Sequence, residues 1–331
     1  MKTSNDFKTI AKRSKWKNRV KTILLTLLIL GISYVGTRML TGRLISQQAR
    51  EIVHQIELTE NVAYPNISTY TWSADGGDMF HGGIKWRQAK NIDGVEVGYS
   101  ENSVSFNILG QTSGLIFDHD PGKYAANGTR YNLKENQKIP QFYNRRAKSS
   151  KSTTVAKSRR ELALVKNMPN QLVEMAITFD KPYQLKDIKQ MLPSNLKTNW
   201  YWIGTTSTGD SSVWHESDLF GASAESLSQS SKGSPIDSRN FLSQLKAYQK
   251  NNKGKSTYNN VAPSDDITRY LKTFRKIDMS KSSDVDRLKF SGVILTGKAE
   301  NFEQLNSKTW IYASSIGMTI PNQPYYQLEK Q

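Results

Sequence analysis

Four histidines are spread along the chain, His54, His81, His119 and His215. None stands in an HExxH pair, and neither a GxSxG elbow nor a phosphate-cradling Gly-rich loop occurs. Asp118-His119-Asp120, with Asp75 and Asp78 earlier in the chain, offers the oxygen ligands that hard cations take. Pro121 and Gly122 follow at once, so a polar turn accounts for the cluster, and no metal or cofactor is expected. Ser194-Asn195-Leu196-Lys197 matches the SxxK pattern of penicillin-recognising enzymes without its companion motifs, and a turn suffices. The absence of cysteine excludes a disulfide, a thiolate nucleophile and a lipid-modified N-terminal cysteine. With no convergent acid, base and nucleophile, an enzyme is not expected.

The remaining candidates are contact surfaces. Trp200-Tyr201-Trp202 has the area to hold a ligand or partner, although such runs more often pack a core. Arg145 and Arg146 open a stretch (RRAKSSKSTTVAKSRR) with seven basic residues and no acid, suited to an anionic surface or a solvated linker. Of the formal charge of +17, residues 1–40 carry +8, leaving +9 to attract anionic cell-wall polymers or lipid. Direct nucleic acid binding is not expected.

The elements that must position these groups begin with an anchor. Residues 22–40 (TILLTLLILGISYVGTRML) are apolar on every side through Ile23, Leu24, Leu25, Leu27, Leu28, Ile29, Leu30 and Ile32, and Arg38 is their only charge. At 1.5 Å per residue the stretch spans about 28 Å, a bilayer's hydrocarbon thickness. Lys12, Arg13, Lys15, Lys17, Arg19 and Lys21 precede it, so the N-terminus is expected in the cytoplasm and the rest outside a Gram-positive-type cell membrane. Tyr34-Val35-Gly36-Thr37-Arg38 is a poor cleavage site, which favours a retained anchor over a signal peptide.

The expected fold class is α+β. A basic tail (1–21) and a transmembrane helix (22–40) lead into a helical stalk (41–60). A β-rich domain (61–144), a basic linker (145–160) and an α+β domain (161–331) follow. The stalk carries Leu44, Ile45, Ala49, Ile52, Val53 and Ile56 on one side. Alternation and an Asp93-Gly94 turn mark the β-rich region. In the last domain, strands at 172–179, 196–205, 287–297 and 310–320 enclose helices at 185–192 and 299–305. That is the β-α-β, β-α-β order of a ferredoxin-like sheet. Helices near 234–248 and from Ser264 form an insertion, the first opened by Ser234-Pro235-Ile236-Asp237.

Several stretches together carry a family resemblance. They are Ala63-Tyr64-Pro65-Asn66-Ile67 after the anchor, Met168-Pro169 leading into LVEMAITFDKPYQLKDI, then NWYWIG, NFLSQLKAYQKN and RLKFSGVILTGKAENFEQL. In this order they resemble the N- and C-terminal domains of the sigma factor regulator family, over most of residues 20–320. The resemblance implies a membrane regulator of an extracytoplasmic-function sigma factor, either an anti-sigma factor or an accessory to a membrane partner protein, responding to envelope stress. About twenty residues precede the anchor, too few to bury a core, so the tail would bind as a peptide or by folding on its partner, or would only set topology and contact anionic lipid.

Overall fold

The computed structural model describes residues 2–113, 123–125, 128–132, 136–149, 154–228, 241–252 and 263–328. The Asp118-His119-Asp120 cluster and the Ser234–Asp237 helix start lie outside the described residues.

Helix α1 (Lys2–Glu60) is unbroken for 59 residues, about 88 Å. The first proline is Pro65, so nothing in the run removes a helical hydrogen bond. Its apolar stretch satisfies its own hydroxyls: Thr26 Oγ1 donates to the Thr22 carbonyl at 2.9 Å and Thr37 Oγ1 to the Ser33 carbonyl at 2.8 Å. Among the described residues this is the one helix long and apolar enough to cross a membrane.

Strands β1 (Ser68–Gly77), β2 (His81–Ile92), β3 (Val95–Asn107) and β4 (Thr112–Ser113) form an antiparallel meander in chain order. Asp93 and Gly94 both take positive φ (55° and 90°), as a two-residue hairpin turn requires. Residues 41–60, expected as a stalk, lie along this sheet. Ile52 and Ile56 are buried with Ile84, Trp86, Val104 and Phe106, and Ile45, Ala49 and Val53 pack at the margin. Gly82 makes the approach possible, because a Cβ there would stand 2.9 Å from Ile45 Cγ2 and 2.7 Å from the Phe106 ring. A small hairpin of β5 (Lys123–Tyr124) and β6 (Arg130–Tyr131) follows.

The second sheet contains β7 (Gln171–Gln184), β8 (Lys197–Trp202), β9 (Gly221–Ser223), β10 (Lys289–Lys298) and β11 (Ile311–Pro321), all antiparallel in the order β11-β7-β10-β8-β9. Its four long strands therefore stand 4-1-3-2, the ferredoxin-like arrangement, with β9 added at one edge. Helix α2 (Leu185–Met191) joins the first pair and a 3-10 helix (Ala299–Leu305) the second. Helices α3 (Ala224–Leu227), α4 (Phe241–Asn251), α5 (Pro263–Thr273) and α6 (Ser282–Val285) lie between β9 and β10 in the chain. Val173, Met175, Ile177 and Phe179 of β7 share the large core with Leu185, Ile188, Phe241, Tyr270 and Phe302. The alternate residues Glu174, Ala176 and Thr178 are buried as well. Phe142 packs beside Ala176, and the Tyr143 N–H donates to Thr178 Oγ1 at 3.1 Å.

Candidate functional site

The two sheets and the long helix meet at one joint, built from residues 60–67. Helix α1 ends at Glu60, and Val62, Ala63, Tyr64 and Ile67 are buried in the same core as the second sheet. Tyr64 (φ 60°) and Asn66 (φ 56°) both adopt the left-handed region. Asparagine tolerates that region, but a bulky residue such as tyrosine persists there only where its surroundings enforce it. The Tyr64 N–H donates to the Glu216 carbonyl at 3.0 Å and the Gly221 N–H to the Val62 carbonyl at 2.8 Å. Glu60 accepts from Thr69 Oγ1 at 2.5 Å and Gln88 Nε2 at 2.6 Å, tying the helix end to the first sheet. Burial pushes the Glu60 carboxyl above its ordinary range, against the pull of these hydrogen bonds.

Asn66 is the hub of the joint. Its Nδ2 donates to Glu174 Oε1 at 2.9 Å and to the Asn91 carbonyl at 3.1 Å, while its Oδ1 accepts from Asn199 Nδ2 at 2.7 Å. One side chain thus touches the first sheet and two strands of the second. Beside it Lys90, 1% exposed, donates to both oxygens of Glu174, 0% exposed, at 3.1 and 2.8 Å. The Met318 N–H supplies a further hydrogen bond to Glu174 at 3.1 Å. The Lys90 ammonium also lies 4.7 Å from the centroid of the Tyr99 ring. The Tyr99 hydroxyl donates to Glu216 Oε1 at 2.7 Å, and Arg130 stands 3.6 Å from Glu216 Oε2. Burial alone would raise the Glu216 carboxyl, but Arg130, the Tyr99 hydroxyl and Lys90 together hold it below its ordinary range. Each buried carboxylate here faces a cation or several N–H and O–H donors, so the arrangement fastens the elements to one another.

A groove of about 640 Å³ opens between α1 and the first sheet, with Ala49, Val53, His54, Trp72 and Gly82 in its walls. Among the described residues no three potential ligands gather for a metal. Asp75 pairs with Lys85 and Asp78 with His81, each at 3.0 Å. Lys197, the lysine of the SxxK tetrapeptide, donates to Asn91 Oδ1 at 2.9 Å within the joint.

The sequence-predicted contact residues divide. Ile23, Leu24, Leu25, Leu27, Leu28, Ile29, Leu30 and Ile32 are uncovered by protein, each more than half exposed. Lys12, Arg13, Lys15, Lys17, Arg19 and Lys21 are exposed on the same helix. Trp200, Tyr201 and Trp202 are 3–5% exposed, which overturns the expectation that they form a contact surface. The reason is strand alternation: Trp200 and Trp202 pack on Phe142, and Tyr201 points the other way onto Phe290. Arg145 and Arg146 are exposed, Arg145 lying over the Tyr312 ring at 5.6 Å. The described remainder of the basic stretch is fastened down, with the Ala156 N–H on Asp210 and the Ser314 N–H on the Arg159 carbonyl. Sequence reasoning missed Lys90, Glu174, Asn66 and Glu216. Lys90 had a signal: it shares parity with Ile84, Trp86, Gln88 and Ile92 in β2, the inward-facing set. It also missed Trp16, 68% exposed six residues before the apolar stretch, where interfacial aromatics sit.

One long N-terminal apolar helix leading into two antiparallel sheets with helices defines the architectural class, mixed α+β. Within that class the family is shown by two matches: the sigma factor regulator N-terminal model over residues 8–97 and the sigma factor regulator C-terminal model over residues 165–318. The chain belongs to the sigma factor regulator family, whose role is regulatory and whose partner is a sigma factor. No curated protein and no solved structure matches the chain.

Proposed function

We propose that this protein is a single-pass membrane regulator of an extracytoplasmic-function sigma factor, acting as an anti-sigma factor or as the accessory subunit of one. Its basic tail lies in the cytoplasm and its two sheets form an extracytoplasmic sensory part. The observation that carries this reading is the continuity of α1. One unbroken helix connects the exposed basic tail to a joint whose side chains bridge both sheets. A change in how the sheets sit on each other would shift Glu60 and hence the helix as a rigid rod. The protein is proposed to work without catalysis and without a cofactor.

Crosslinking and pull-down of the full chain from native membranes, with a control lacking residues 1–19, tests the reading. Tail-dependent recovery of a sigma factor supports direct sequestration, and tail-independent recovery of another membrane protein supports the accessory role. Recovery of neither, with retention on anionic wall polymer instead, refutes regulation and favours an envelope-binding module.

A further inference from the structure

We infer that the first sheet stands on the membrane and that its two hairpin tips, around Phe80 and Leu109, are seated in the headgroup layer of the outer leaflet. The inference rests on the anchoring role proposed for α1. Phe80 is 47% exposed and Leu109 77%, in the β1–β2 and β3–β4 turns. In a meander those turns share one end of the sheet, and the Ile108 N–H joins them by donating to the Phe80 carbonyl at 3.0 Å.

Which end this is follows from the contacts with α1. Gln88 of β2 reaches Glu60 at the top of the helix, and Gly82 lies against Ile45 lower down. These contacts are about 20 Å apart along β2 and about 22 Å apart along α1, so strand and helix run side by side. His81 and Phe80 carry the chain about 7 Å further down, which brings Phe80 level with about residue 41. Gly110, next to Leu109, lies near the level of Gly82, since a Cβ there would stand 3.0 Å from the amide of Gln48, whose side chain leans toward the helix N-terminus. Thr41 is only 5% exposed, while Leu40 beside it is 60% exposed. The folded part therefore covers α1 down to the residue where the apolar stretch ends.

Headgroups occupy about 5–7 Å beyond the hydrocarbon on each side, so the Phe80 tip falls within that layer and the Leu109 tip at its outer edge. The local chemistry fits that depth. Phe80 and Leu109 present apolar area, while Asp78 stays solvated and caps its turn through the N–H groups of Phe80 and His81 at 2.7 and 2.9 Å. Arg43, exposed on the helix at the same level, can meet lipid phosphates.

The chain has no cysteine, so single substitutions Leu109→Cys, Phe80→Cys, Leu28→Cys and Leu164→Cys each give one labelling site. The full-length variants, carrying an environment-sensitive fluorophore, are reconstituted into phosphatidylcholine–phosphatidylglycerol vesicles containing nitroxide lipids, with buried-tryptophan emission as the check of folding. Labels at 80 and 109 are expected to lose emission to headgroup-level nitroxides. The label at 164, on the second sheet's side, should lose none, and the label at 28 should be quenched by mid-chain nitroxides. Quenching at 28 without quenching at 80 or 109 overturns the seating of the tips and leaves the anchor standing. Absence of quenching at 28 overturns the anchor, and the inference with it.

Discussion

Replacing Glu174 by alanine should unlock the joint, and the structure sets the size of the effect. Four hydrogen bonds converge on this carboxylate, two from Lys90, one from Asn66 and one from the Met318 N–H. Asn66 keeps the Asn91 carbonyl and the ammonium keeps the Tyr99 ring, but Lys90 loses its counter-charge in a site 1% exposed. Stranding one partner of a buried ion pair costs about 3–5 kcal/mol, a large share of the roughly 5–15 kcal/mol that stabilises a typical domain. The assay is urea unfolding of the full chain in detergent, followed by tryptophan emission. Trp72 and Trp86 lie in the first sheet, and Trp200, Trp202 and Trp214 are buried in the second lobe. Replacing these indoles by phenylalanine one group at a time, in wild type and mutant alike, assigns the signal to each sheet, and Glu174→Ala should separate their transitions. The pair Lys90→Met with Glu174→Leu should recover most of the loss, because apolar replacements of a buried ion pair are often neutral or better. A single mutant within about 0.5 kcal/mol of wild type, or a double mutant no better than the single, would refute the reasoning.

Gly82→Val should push α1 off the first sheet and cost about 1–3 kcal/mol, read as faster proteolysis of residues 41–60. Trp202→Ala removes an indole stacked at 4.9 Å on Phe142 and should cost about 3–5 kcal/mol in thermal or chemical unfolding. Glu216 has a carboxyl held below its unfolded value, so its stabilisation is complete above about pH 4.3 and is lost as pH falls through the lowered value. Glu216→Gln should therefore flatten the acid limb of the stability curve, which urea midpoints between pH 6 and pH 3 would show.

Much of the architecture was legible because it rests on local patterning. The alternation of Val173, Met175, Ile177 and Phe179 marked β7, and the apolar face at Leu185 and Ile188 marked the short helix that Pro193 follows. Asp93-Gly94 marked its own turn. The strand order 4-1-3-2 also followed, since the β-α-β, β-α-β sequence of elements leaves few topologies. The joint was not legible, because its contacts join residues 108 and 84 positions apart in the chain. No local period records that Lys90 will meet Glu174. The Trp200-Tyr201-Trp202 run was left open for a related reason: such aromatics more often pack a core, but β9, which covers the edge beside β8, was hidden in a Gly- and Ser-rich stretch.

The Met318 N–H on Glu174 carries a consequence for how the protein is made. On the anchoring proposed above the chain threads outward from residue 41, and the pocket that receives Lys90 is closed only by β11 (Ile311–Pro321). The first lobe must wait for more than 200 further residues before its buried lysine finds all its neighbours. At about 5–20 residues per second that delay lasts on the order of ten seconds to a minute. During it the first sheet, complete in its own strands, stands with a lysine not yet buried, open to proteases and chaperones.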